Sequence, residues 1–303
     1  MLKRFAFIIL ICLGIFFAEN VFCYDTNIAH PGIAEIAAKV YNQNFEQDLT
    51  DEEIGWIKQG AMEEDTPTRW MNHFYDPVYE KGLVFGGMTY SSAKNWAVSP
   101  FVQTNYAFGD KSWQRAIDDL KKGNRESAFK ELGHTLHLIA DMSVPAHTRN
   151  DVHLGDFYEK FVKLNWNEVL KKINNNFDFL NANSLEESFR GLAVFSNNNF
   201  YSDDTILNSK YQMPILDNNK FSKKYLIKKI DGKEYKILYG ITSISNYSRI
   251  NYKINNVILS DYSSILLPKA VAYSSGVIKL FIDETNKIET DKIALPSSRE
   301  SWT

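Results

Sequence analysis

The chain has 303 residues, of which 44% are apolar and 23% charged, and a formal net charge of −3. That composition is ordinary for a globular protein and excludes a collagen-like, largely disordered or multi-span membrane chain. The charge excludes the dominant basic surface of a non-specific duplex-DNA binder, and two cysteines, Cys12 and Cys23, cannot build a disulfide framework.

The chain opens as a leader. Lys3 and Arg4 precede an apolar run from Phe5 to Ala18. The run falls short of the roughly 20 residues of a comfortable membrane span and suits a signal-peptide core. Cleavage after Cys23 would place Val21 and Cys23 at positions −3 and −1. The expectation is therefore a signal peptide over residues 1–23, a mature chain over 24–303, and export to the periplasm or the medium. A retained single anchor is the alternative.

The mature N-terminal half reads as helices. His30-Pro31 opens one with proline at the first helical position, and Ile33, Ile36, Ala37 and Val40 follow at helical spacing. Thr50 through Glu53 forms a capping box before Ile54, Ile57 and Ala61. Asp110 is expected to cap a helix carrying Trp113, Ala116, Ile117 and Leu120, which Gly123-Asn124 ends. A helix from about Arg125 to Met142 follows, with Pro145 stopping it. From Asn174 to about Asn256 the chain is rich in Asn, Ser, Lys and Tyr. This insertion holds one helix candidate from Ser184 and one hairpin candidate with Asp231-Gly232 at its turn. A final helix is expected to start near Pro268, and the tail after Asp283 to be loose.

None of the six histidines, His30, His73, His134, His137, His147 and His153, lies after residue 153, and Asp65, Asp76, Asp141, Asp151, Asp156 and Glu159 stand near them. Imidazole nitrogen with carboxylate oxygen is a ligand set that suits zinc. His137 and Asp141 are one helical turn apart, so they project from one face, and His134 joins it at i−3. Phe129, Leu132, Leu136 and Ile139 take the other face. A merely solvated polar face would carry more Lys and Glu than this one does. Pro145 turns the chain so that His147 can swing back toward the helix end. By themselves Asp65 would be a loop acid, His73 a packed histidine and Glu159 a surface acid.

The order of these residues resembles the zinc-dependent phospholipase C and single-strand nuclease superfamily. His30 stands just inside the mature N-terminus. Gly60-x-x-x-x-Asp65, His73-Phe-Tyr-Asp-Pro77, His137-x-x-x-Asp141-x-x-x-Pro145-x-His147 and Tyr158-Glu159 follow in turn. The resemblance covers about Tyr24 to Phe161, is weak from Asn174 to Asn256 and returns at the last helix. It implies a mainly α fold: a multi-helix phospholipase C-like domain with a small insertion that contains a β-hairpin. It also implies up to three zinc ions. Asp65, His73, His137 and Asp141 would hold the first. Asp141 would bridge to a second on His30 and the backbone of Tyr24, and His147 and Glu159 would hold the third. Gly155 occupies the position of the family's remaining third-site histidine, so His153 or Asp156 would substitute, with His153 preferred. Thr66 occupies a position that is aromatic in the family's phosphatidylcholine enzymes.

The implied activity is phosphodiester hydrolysis by metal-activated water, with Asp65 orienting or deprotonating the nucleophile. Phospholipid head groups are the first expected substrate, with transient membrane-surface contact and no stable protein partner. A single-strand nuclease using the same zinc site is the alternative, with Trp70, Phe74 and Tyr75 as candidate base-stacking platforms. An exported, non-catalytic metal-binding protein is the third reading.

Overall fold

The computed structural model describes residues 27–46, 48–152, 155–174, 176–206, 208, 211, 220–222, 224–242 and 250–294. The expected leader, Tyr24 and His153 lie outside the described residues.

Helix α1 (Ala29–Asn44) starts one residue before His30, so Pro31 is third in the helix rather than first. A proline there removes no internal bond, because first-turn N–H groups have no intrahelical partner. Helix α2 (Asp51–Glu63) carries the expected capping box: Glu53 N donates to Thr50 Oγ1 at 3.2 Å and Thr50 N donates to Glu53 Oε2 at 2.9 Å. After the short helices α3 (Ala93–Ala97) and α4 (Pro100–Gln103) comes α5 (Trp113–Lys121). Its cap is Ser112, not Asp110. The Asp110 carboxylate instead accepts from Ser112 N at 3.0 Å and shapes the turn before the helix. Helix α6 (Arg125–Asp141) follows the positive-φ Gly123. Then come α7 (Pro145–Thr148), α8 (Phe157–Leu164), α9 (Trp166–Lys172) and α10 (Leu185–Asn199).

A two-stranded ribbon, β1 (Val84–Phe85) with β2 (Met88–Thr89), lies outside the sequence expectations. The expected hairpin forms as β4 (Tyr225–Ile230) and β5 (Lys233–Thr242). Asp231 and Gly232 both have positive φ, as a two-residue hairpin turn of type I′ requires. β3 (Lys220–Ser222) and β6 (Ile250–Lys253) extend it to an antiparallel sheet in the order β3-β4-β5-β6.

Helix α11 (Asn256–Ala294) corrects two expectations. It starts twelve residues before Pro268, and it runs on past Asp283. Asn255 sets the start: its side chain accepts from Ile258 N at 3.1 Å. Pro268 sits in the interior, where it costs one backbone bond. Burial of the flanking Leu266, Leu267, Ala270 and Val271 offsets that loss.

Two apolar cores form. One joins α1, α2, α5, α6, α10 and the C-terminal part of α11, through residues such as Ile33, Ile57, Phe129, Leu136, Phe189 and Phe281. The other joins the sheet to α8 and the N-terminal part of α11, through Tyr158, Phe200, Ile237, Ile258 and Tyr262. The Asn-rich stretch therefore contributes to both cores and is not a surface appendage. In the first core α2 and α6 cross at glycines. A Cβ on Gly60 would overlap the carbonyl of Lys130, and one on Gly133 would overlap the carbonyl of Ile57. Only hydrogen at both positions allows this approach.

Candidate metal centre

Six segments bring the site together. His30 comes from the first turn of α1, and His137 and Asp141 from the last turns of α6. Asp65 lies just past α2, and His73 follows the 3-10 turn Arg69–Asn72. His147 rides on α7, whose first residue is Pro145. Glu159 is in the first turn of α8, where the Asp156 side chain accepts from Tyr158 N and Glu159 N. That cap occupies Asp156 Oδ1 with its own helix. Two bonds tie His147 to the His73 segment: Tyr75 N donates to His147 O, and His147 Nδ1 donates to His73 O, both at 3.1 Å.

The site is closed to solvent. His30 and His137 are 1% exposed and Asp141 0%, so the polar face of α6 is not a solvated face. Asp141 lies at the centre. Its Oδ1 is 3.4 Å from His30 Nε2, and its Oδ2 is 3.1 Å from His73 Nδ1 and 3.5 Å from His137 Nε2. Asp65 Oδ1 is 3.7 Å from His73 Nδ1 and 3.8 Å from His137 Nε2. His147 Nε2 is 3.3 Å from Glu159 Oε1. The rings of His30 and His137 stack at 3.5 Å.

These distances suit a metal. Two atoms each about 2.0–2.1 Å from a tetrahedral zinc lie roughly 3.3–3.4 Å apart. Three groups bring their ligand atoms within 4.8 Å of one another: His30 with Asp65 and His137; His73 with His137 and Asp141; Asp141 with His147 and Glu159. The tautomers agree as well. His137 Nδ1 donates to Ala61 O at 2.6 Å, which leaves its Nε2 lone pair facing the acids. That Nε2, and both oxygens of Asp141, make no hydrogen bond among the described residues, although all are buried. Buried polar atoms without partners are rare and call for a ligand.

Electrostatics points the same way. Burial holds His30 well below its ordinary value, with the nearby His137 and His73 adding to the effect. Burial likewise lowers His137 to about 4, despite Asp141. His73 goes the other way: burial opposes its charge, but the Asp141, Glu64 and Asp65 carboxylates raise it to about 10. The carboxylates around His73 thus concentrate negative charge that favours a cation beside the neutral His30 and His137.

Seven of the nine sequence-predicted ligands converge: His30, Asp65, His73, His137, Asp141, His147 and Glu159. Tyr24 and His153 lie outside the described residues. His134 stands apart, with Nδ1 donating to Glu64 Oε2 at 2.5 Å. Phe74 and Tyr75 are buried, Phe74 stacking on His147 and the Tyr75 hydroxyl donating to Glu80. Neither can serve as a base-stacking platform. Sequence reasoning missed Glu64, a buried carboxylate beside Asp65. Its only signal was an acid at the end of an apolar helix face.

No protein-family model matches the sequence, and no curated protein matches it. Several solved structures are similar, among them two alpha-toxins. The alpha toxin from Clostridium absonum is 14% identical with a TM-score of 0.52, over 87% of this chain and 66% of that one. Clostridium perfringens alpha-toxin from an avian strain is 14% identical with a TM-score of 0.52, over 92% of this chain and 68% of that one. The chain spans about two thirds of the length of each. What they share with this chain is a mainly helical fold with a small antiparallel strand content, which is the fold class that the motif order implies.

Proposed function

We propose that the chain is an exported zinc-dependent phosphodiester hydrolase of phospholipase C type, acting on phospholipid head groups. The observation that carries this reading is Asp141. One buried carboxylate stands within ligand reach of three histidines and belongs to two of the three ligand groups. A carboxylate shared in this way suits a cluster of ions better than one isolated ion. The likeness in fold to two alpha-toxins and the ordered family motif support it.

In this reading Asp65, His73, His137 and Asp141 would hold one ion, His30 and Tyr24 with Asp141 a second, and His147, Glu159 and His153 a third. Bound zinc supplies an acidified water and positive charge at the phosphoryl oxygens. The residues do the rest. His137 and His147, each locked through Nδ1 to a backbone carbonyl, keep a fixed ring orientation. Asp65 lies beside two of the imidazoles and is the acid placed to orient the attacking water or take its proton. Ligation requires neutral imidazoles, so a bound ion and protons compete for the same ring nitrogens.

The test uses the mature chain, by elemental analysis and by hydrolysis of phosphatidylcholine vesicles and of single-stranded DNA. Zinc with lipid hydrolysis supports the reading. DNA hydrolysis alone would move the assignment to a nuclease, zinc without either activity to a metal-binding protein, and no zinc after reconstitution would sink all three.

A further inference from the structure

The two locked histidines share a pattern. His137 and His147 give their Nδ1 protons to Ala61 O and His73 O, and both turn Nε2 toward the acids. His73 is reversed. Its Nδ1 faces Asp141 and Asp65, so with a metal bound Nδ1 would be the ligand atom and the remaining proton would sit on Nε2. That buried N–H needs an acceptor of its own. Glu64 Oε1 lies 3.6 Å from it, a few tenths of an ångström beyond a normal hydrogen bond.

Glu64 is built to stay in place. Its Oε2 accepts from Arg69 Nε and Nη2 at 2.9 and 2.7 Å and from His134 Nδ1 at 2.5 Å. Its Oε1 accepts from Trp96 Nε1 at 2.7 Å. Arg69 is anchored in turn by Ala107 O, Gly109 O and Gln103 Oε1. A fully buried carboxylate–guanidinium pair gives little net stability by itself. Its position, one residue before Asp65 and against the outer edge of His73, supplies a different reason for it.

We propose that Glu64 is a positioning residue for the metal centre, accepting the Nε2 proton of His73 and so presenting Nδ1 as the ligand atom. Arg69, Trp96 and His134 fix the carboxylate that does this. The inference rests on reading the cluster as a metal centre.

The experiment is NMR on the mature full-length chain with 15N-labelled histidine, loaded with zinc or with 113Cd. The expected result is His73 bound through Nδ1 with a protonated Nε2, opposite to His137 and His147. The charge-balanced double variant Glu64→Gln/Arg69→Met should shift the His73 Nε2 resonance, leave those of His147 in place and weaken zinc binding by about 10–100-fold in a chelator competition. A mere loss of packing would not move His73 selectively. Ligation of His73 through Nε2 in the wild type, or a double variant with unchanged His73 signals and zinc affinity, overturns the proposal alone. Where the double variant does not fold, the nitrogen assignment in the wild type decides. A wild type that takes up no zinc or cadmium overturns the metal-centre reading and this proposal together.

Discussion

The carbonyl oxygen of Ala61 accepts the Nδ1 proton of His137 at 2.6 Å, across the crossing of α2 and α6. The bond exists because Gly60 and Gly133 let the two backbones meet. Gly133→Ala should force the helices apart, destabilise the fold by about 1–3 kcal/mol or more, and release His137 from its acceptor. Denaturant midpoints and zinc affinity should both fall. Gly55 is the control, because a Cβ there meets nothing within 4 Å. Gly55→Ala should stabilise α2 by about 0.5–1 kcal/mol and leave zinc binding alone. Equal effects from the two substitutions would refute the close-approach account.

Asp141→Asn keeps the shape of the side chain but loses the charge and one acceptor oxygen. The shared position should fail, and zinc per chain should drop from two or three to one or none. Hydrolysis should fall by more than about 100-fold, beyond what loss of an outer hydrogen-bond partner costs. Elemental analysis beside a rate assay checks both, and His137→Ala should behave alike.

Zinc should raise the melting temperature of the mature chain by mass action. At free zinc 100-fold above the dissociation constant, each site adds about 2.7 kcal/mol. Magnesium should have little effect, since it prefers oxygen ligands and these groups are rich in imidazole. Thermal scans with each metal, and after chelation, decide this. Equal stabilisation by both metals would speak against imidazole ligation.

Glu131 makes stability depend on pH away from the metal centre. Its Oε1 is 3.5 Å from Lys111 Nζ and 3.7 Å from Arg115 Nε, and its Oε2 makes no hydrogen bond among the described residues. Burial, countered by Lys111 and reinforced by Asp119, raises its pKa from 4.5 to about 7. Between those values the folded chain holds a proton that the unfolded chain releases. Stability from this group therefore falls as pH rises from 4.5 to about 7, and stays reduced above. Glu131→Gln should match the wild type below that window and exceed it above. Denaturation midpoints across the range test the sign, and a difference that shrinks with rising pH would contradict it.

The sequence announces what depends on neighbours along the chain. The capping box at Thr50, the Asp231-Gly232 turn and the spacing of His137 with Asp141 are local patterns with local causes. It is silent on what depends on distant backbone meeting in space. Gly60 is visible as part of a motif, but its partner Gly133 is one glycine inside a helix until α2 and α6 are docked. Glu64 looks like any helix-end acid until Arg69, Trp96 and His134 surround it. Pro268 misleads because local propensity argues for a helix start there, whereas burial on both sides carries α11 straight through. Asp110 and Ser112 are both good caps, and only the turn geometry separates them.

Leu266 belongs to the sheet-side core and Leu267 to the bundle-side core, with Pro268 next to them. The same seam runs through the cluster of acids and imidazoles. His137 and Asp141 hang from the bundle-side helix α6. His147 and Glu159 sit beside Ala146 and Tyr158, which pack in the sheet-side core. An ion held between Asp141, His147 and Glu159 would be a cross-link between two hydrophobic units. Its loss would loosen the joint between them, so that each half could open to solvent without the other.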